Sequence, residues 1–238
     1  MIKAITFDMW NTLIQDKHYG DLRVKRVFEA LREMRISRSY SEIRKAYLST
    51  HDYVYEAWRD ENYRFVQVDE RLRHILERLD ADLTEPLRLK VLTDFQDFAL
   101  ADPPELVEGV IDTLRTLSSS LKMGIICDSG YTPGRILRRV LAKRGVLKFF
   151  KVAVFSDENG YNKPHGSMFN KAFSGLDVEP SEAVHVGDTF VTDIVGAKAA
   201  GMKAVWLNAQ RQPNAGSYTP DFEIRALPEV VSILSKMN

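Results

Sequence analysis

Ile2-Lys3-Ala4-Ile5-Thr6-Phe7-Asp8-Met9-Trp10-Asn11-Thr12-Leu13 is a short apolar, β-branched run that stops at an acid and a turn. The run predicts a strand over 2–7, with Asp8 just beyond its carboxyl end. Four further runs share its character, at 122–127, 151–155, 183–186 and 203–207. Between 122–127 and 151–155, Thr132-Pro133-Gly134 opens a helix with a cap-like Thr and a Pro in its first turn, and Gly145 closes it. After 183–186, residues 191–200 read as a second helix, ended by Gly201. Strands alternating with helices predict an α/β fold: a five- or six-stranded parallel sheet with helices on both faces.

The interval 15–100 breaks this rhythm, being too long for a crossover and poor in strand signals. Its apolar residues recur at helical spacing, as Leu22/Val27/Leu31, Ile43/Ala46/Tyr47 and Leu72/Ile75/Leu76/Leu79, which predicts an inserted small bundle. Asp102-Pro103-Pro104 marks the return hinge. The expected division is a sheet core from 1–14 and 101–238, with a helical domain at 15–100. The stretch 210–220, rich in Gln, Asn, Pro, Gly and Ser, reads as a surface loop.

Composition narrows the function. The chain has 238 residues, 45% of them apolar, with Lys+Arg and Asp+Glu both at 33. Without a cationic excess there is no general electrostatic pull toward nucleic acid or an anionic membrane. The single cysteine, Cys127, excludes an internal disulfide framework and a structural thiolate cluster, and fits a reducing, cytoplasmic setting. No apolar stretch approaches the length of a membrane span, and none follows Met1 as a leader would.

Open parallel sheets bind ligands beyond the carboxyl ends of their strands. Asp8 follows the first run there, Asp128-Ser129-Gly130 the second, Lys163-Pro164 the third at loop distance, and Gly187-Asp188-Thr189-Phe190-Val191-Thr192-Asp193 the fourth. Acids gathered with one lysine suit a hard cation such as Mg2+ bound to oxygen, whereas zinc would favour His or Cys. The order Asp-x-x-x-Thr, a strand ending near Ser or Thr, Lys-Pro, and Gly-Asp-x-x-x-x-Asp resembles the haloacid dehalogenase superfamily. The likeness runs from residue 1 to about 208, and the insertion resembles the helical cap of its haloacid dehalogenase and phosphoglycolate phosphatase-like branch, on a Rossmann-like core. The resemblance implies that Asp8 is a nucleophile and Lys163 the cation that steadies it. Asp8, Asp188, Asp193 and the Trp10 carbonyl would hold Mg2+, and Thr12 would brace the loop. It implies hydrolysis of a small phosphorylated metabolite through an aspartyl-phosphate, in a monomer or homodimer. A carboxylate held beside Mg2+ and Lys163 would stay ionised, and phosphoryl transfer needs chiefly positioning and charge neutralisation.

Three positions depart from that pattern. Trp10 stands where the superfamily's phosphatases carry a second Asp for acid–base work, and indole cannot titrate. Either another group serves or good leaving groups are preferred. An aromatic there is similar to the dehalogenases proper, so a metal-free dehalogenase is one alternative and a phosphate-binding module without turnover another. Cys127 stands where a hydroxyl would hold a phosphate oxygen, and its thiol donates weakly; Ser129, Asp128 and turn N–H groups remain for that role. Asn11 replaces a Gly and tolerates a left-handed backbone.

The aromatics Tyr53, Tyr55, Trp58, Tyr63 and Phe65 exceed what one buried helix face accepts, which makes Trp58 a candidate to close over substrate. Asp16 and His18 lie near enough in sequence to lend a proton. His165 and His185 have no ligand partners at metal spacing. Arg135, Arg138, Arg139, Lys143, Arg144 and Lys148 read as a solvated face.

Overall fold

The computed structural model describes residues 1–214, 216–234 and 236–237. β1 (Ala4–Phe7) is buried at every residue, as a central strand covered on both faces must be. The chain then leaves the sheet along a linker that pairs with the returning one: Gln15 N–H donates to the Glu105 carbonyl at 2.8 Å and Val107 N–H to Leu13 at 3.0 Å. Between these linkers lie α1 (Gly20–Glu33), α2 (Tyr40–Asp60), α3 (Val68–Arg78) and α4 (Glu85–Ala101). α2 starts at a capping box, in which Glu42 N–H donates to Ser39 Oγ at 3.2 Å and Ser39 N–H to Glu42 Oε2 at 2.7 Å. Pro86 lies in the first turn of α4, where a missing N–H costs nothing.

These four helices enclose an apolar cluster of their own, including Val27, Leu31, Ile43, Tyr47, Leu72, Ile75, Val91 and Phe95. Leu22 is the exception to the predicted stripes. It is 43% exposed, and Val24 takes its place because α1 turns the 24/27/31 positions inward.

The chain continues through α5 (Val110–Leu117), β2 (Lys122–Cys127), α6 (Gly134–Lys143), β3 (Val152–Phe155), α7 (Ser156–Asn159), α8 (Gly166–Leu176), β4 (Ala183–Gly187), α9 (Val195–Ala199), β5 (Lys203–Leu207), β6 (Phe222–Ile224) and α10 (Glu229–Leu234). All six strands are parallel, in the order β3-β2-β1-β4-β5-β6. One face packs the cluster around Leu114, Leu137, Leu141 and Val230, the other the cluster around Met168, Phe169, Ala197 and Met202. Register brings the strand ends level: Phe7 lies beside Ile125 and Val186, and Cys127 beside Phe155. The loops after β1, β2 and β4 therefore open at one edge.

The helix expected over 191–200 begins differently. Residues Phe190–Ile194 form a single wide π-turn before α9, so Asp193 is wholly buried rather than lying on a solvent-facing first turn. The cationic run on α6 is also less solvated than its spacing suggests. Arg144 donates to the Pro103 and Pro104 carbonyls, each at 2.8 Å, Lys143 reaches Leu100 O at 3.0 Å, and Arg138 pairs with Glu158. Long basic side chains near these free carbonyls bind them in preference to water and fasten the return linker. No helix among the described residues is long and apolar enough to cross a membrane.

Candidate active site

Four buried or half-buried groups meet where β1 and β4 end. Lys163 is 2% exposed, and its Nζ lies 2.5 Å from Asp8 Oδ1 and 2.7 Å from Asp193 Oδ1. Asp8, Asp188 and Asp193 each offer a carboxylate oxygen within 4.8 Å of the others. The backbone sets these positions. Asp8 N–H donates to the Val186 carbonyl at 2.8 Å, prolonging the β1–β4 ladder by one residue. Asp193 folds back onto its own turn, taking Thr189 N–H on Oδ2 at 3.0 Å. That approach requires glycine at 187, because a Cβ there would lie 2.2 Å from Asp193 Cγ. Asn11 adopts φ 55° and accepts Asp16 N–H on its side-chain oxygen at 3.1 Å, closing the loop after Asp8.

Lys163 is held from three directions. Its N–H donates to Asp128 Oδ1 at 2.9 Å, its carbonyl accepts Trp58 Nε1–H at 2.9 Å, and its ammonium joins the two carboxylates. His185 completes the inner layer. Its Nε2 lies 3.1 Å from Asp193 Oδ1 and its Nδ1 2.9 Å from Thr6 Oγ1. A carboxylate can only accept, so Nε2 carries the proton and Nδ1 accepts from the Thr6 hydroxyl. Burial holds His185 below its ordinary range despite Asp193, which keeps it neutral.

Charge in this pocket is unbalanced, with three carboxyls facing one ammonium. Burial pushes Asp8 up to about 8, Lys163 opposing it and Asp193 and Asp188 adding to it. Burial and Asp193 push Asp188 up to about 6. For Asp193, burial acts upward too, but Lys163 and His185 overcome it and hold the group well below the usual carboxylate range. Burial would depress Lys163, yet Asp193, Asp8 and Asp128 raise it well above an ordinary lysine. Lys163 therefore offsets only part of the cost of burying Asp8 as a carboxylate.

A cavity of about 680 Å³ opens beside this cluster, bounded by Trp10, Asn11, Asp128, Ser129 and Tyr131 below and by α1, α2 and α3 above. The residues singled out in the sequence fall in different places around it. Trp10 and Asp128 line it, as do Asp16 and His18. Ser129 also borders it, but its hydroxyl is committed to Ser156 Oγ at 3.0 Å and to Asp157 N–H at 3.2 Å. Cys127 is wholly buried beside Phe7 and Phe155, away from the cavity, and burial pushes its thiol well up. Thr12 is wholly buried and its hydroxyl has no partner; Leu13 and Ile14 N–H, both bonded to the Met9 carbonyl, brace the loop instead. Trp58 lies outside the cavity lining, on the Lys163 carbonyl.

The sequence reading missed the part played by three residues. His185, read there only as a histidine without partners at metal spacing, left one signal, a polar residue inside the otherwise apolar run 183–186. Ser156 and Tyr131 left none, since their roles depend on contacts with other elements.

The profile of the haloacid dehalogenase-like hydrolases matches residues 2–201. The chain belongs to the haloacid dehalogenase-like hydrolase family. A Methanopyrus kandleri relative named glyceraldehyde 3-phosphate phosphatase is 30% identical, covering 99% of this chain and 100% of that protein. The 2-haloacid dehalogenase of Pseudomonas syringae pv. Tomato superposes with a TM-score of 0.75 at 23% identity over 100% of both chains, which shows the shared fold. A HAD phosphatase from Thermococcus onnurineus does so at 0.64 and 28% identity, covering 98% of both.

In this haloacid dehalogenase-like hydrolase the donor set fits a magnesium ion. The three carboxylates are hard oxygen donors, and the raised Asp8 and Asp188 mark a deficit of positive charge that a divalent cation would fill.

Proposed function

We propose that this chain is a Mg2+-dependent phosphatase of small phosphorylated metabolites that works through an aspartyl-phosphate on Asp8. The carrying observation is the buried meeting of Asp8, Asp188 and Asp193 with Lys163 beside a metabolite-sized cavity. The relative named as a phosphatase along its whole length supports the same reading. In this reading 1–14 and 101–238 form the catalytic core and 15–100 a cap over it.

An Asp8 carboxylate oxygen attacks phosphorus, and the bond from phosphorus to the leaving oxygen breaks. Water then attacks the phosphorus of the acyl phosphate, which releases phosphate and restores Asp8. Mg2+, held by Asp8, Asp188, Asp193 and the Trp10 carbonyl, would supply charge neutralisation. Lys163 steadies the Asp8 carboxylate and offers its ammonium to the phosphoryl oxygens. Asp193, kept ionised by Lys163 and His185, fixes that ammonium in place.

The leaving oxygen needs a proton that Trp10 cannot give. Asp128 lines the cavity, and burial pushes it up to about 6, against the pull of Lys163. It is the carboxyl we assign to this task, with Oδ1 anchored on Lys163 N–H.

The test is hydrolysis of 4-nitrophenyl phosphate, whose leaving group needs no acid, by the wild type and Asp8→Asn, each with Mg2+ and with a chelator. Turnover should fall to background on either change. Undiminished activity in Asp8→Asn would overturn the reading. Trp10 favours one rival, a dehalogenase in which Asp8 attacks carbon, and chelator-resistant halide release from a 2-haloacid would support it.

A further inference from the structure

Arg23 on α1 and Arg71 on α3 are 5% and 6% exposed, and both line the cavity. Neither has a carboxylate partner among the described residues. Arg23 spends Nε and Nη2 on one acceptor, the Phe95 carbonyl, at 3.3 and 3.2 Å, while Arg71 donates only from Nε, to the Val66 carbonyl at 2.9 Å. Arg23 Nη1 and both terminal nitrogens of Arg71 are left without an acceptor among the described residues. The three acids that line the cavity bond neither arginine: Asp16 faces His18, Asp128 takes Lys163 N–H, and Asp21 is exposed.

Buried guanidinium groups are ordinarily paired, because removing the charge from water is costly unless an anion replaces the lost solvation. Here the compensation is an aromatic ring. Arg23 and Arg71 lie 4.4 and 4.8 Å from the centroid of Tyr131, whose hydroxyl is held 2.9 Å from Thr50 Oγ1. Tyr131 belongs to the loop after β2 that also carries Asp128 and Ser129. The ring thus clamps two like charges together at the wall of the cavity that Trp10, Asn11 and Asp128, next to the carboxylate cluster, also line. A planar, multidentate donor pair of this kind matches a carboxylate or a phosphate.

We propose that Arg23 and Arg71 bind a second anionic group of the substrate, a carboxylate or a phosphate remote from the phosphoryl group that is transferred. The inference rests on the phosphatase reading and deepens it: the substrate is a doubly acidic metabolite, not a neutral sugar or alcohol phosphate.

Three probes of one chain length separate the cases: propyl phosphate, 3-carboxypropyl phosphate and propane-1,3-diyl bisphosphate. Their binding to Asp8→Asn with Mg2+ is measured by titration calorimetry, so the result does not depend on turnover. At least one doubly acidic probe should bind on the order of 10- to 100-fold tighter than propyl phosphate, the range expected for charge-assisted hydrogen bonds. The better of the two identifies carboxylate or phosphate as the source. Adding Arg71→Met should bring the three to within about threefold of one another, and Arg71→Lys should restore part of the preference as a point charge. Equal binding of all three probes would overturn the proposal, as would a preference that survives Arg71→Met. Loss of 4-nitrophenyl phosphate hydrolysis in the wild type would instead sink the phosphatase reading, while the calorimetry still decides the anion site.

Discussion

Asp128 is the residue on which the mechanism's acid step turns, and its environment fixes a sign. A carboxyl pushed up to about 6 by burial is protonated below that value and loses its proton above it. Hydrolysis of an alkyl phosphate, which needs a donated proton, should therefore decline as pH rises through about 6, whereas an aryl phosphate should show a weaker decline. Asp128→Asn should flatten that limb and cost alkyl substrates about 10²-fold or more, the usual worth of general acid help. Equal losses on alkyl and aryl substrates would mean that Asp128 positions Lys163 rather than donating. The sequence pointed to Asp8 and Asp188 because they closely follow runs whose strand character is plain, and to Lys163 and Asp193, a loop further on, only through the order of the motifs. It did not disclose Arg23 and Arg71, whose meaning lies in the carboxylates they lack. Each sits beside an apolar stripe residue, Val24 or Leu72, and reads as an ordinary helix-surface charge until the helices are packed.

The last turn of α2 and the loop 61–67 that follows it work together with the Lys163 loop. Trp58 Nε1–H reaches the Lys163 carbonyl at 2.9 Å, Phe65 N–H the Gly160 carbonyl at 3.0 Å, and Asn162 Nδ2 the Arg64 carbonyl at 3.1 Å. Trp58→Phe removes one of these bonds and leaves the Lys163 carbonyl unpaired. The expected loss is about 1 kcal/mol of stability, roughly 2–4 °C in Tm for a chain of this size. Because the same carbonyl belongs to the residue that steadies Asp8, kcat should fall with Tm; an unchanged kcat would show that the bond only fastens the helices. The five strands and the inserted helices were legible because each carries several residues of one periodicity. β6, three residues long with an exposed Glu223 at its centre, has no pattern to recognise. The π-turn at 190–194 was hidden for another reason: it seats Asp193 against Lys163, a contact that local sequence does not encode.

The chain carries no net charge, yet its buried charge is not balanced where β1 and β4 end. A protein that gathers three carboxyls around one ammonium is strained by that choice until another cation joins them, so its stability should register the metal even when nothing is being hydrolysed. Mg2+ at about 100 times its Kd adds about 2.7 kcal/mol, and at roughly 2–4 °C per kcal/mol the melting point should rise by several degrees. Asp188→Asn separates charge relief from metal binding. Without metal it removes one of the crowded carboxylates and should melt at or above the wild type. With Mg2+ it lacks a donor, gains little, and should melt below the wild type. That reversal of order is what thermal melts with Mg2+ and with chelator would read. Wild-type melting indifferent to Mg2+, with Asp188→Asn no more stable in its absence, would show that Lys163 alone already balances the pocket, and the electrostatic case for a divalent cation would fail.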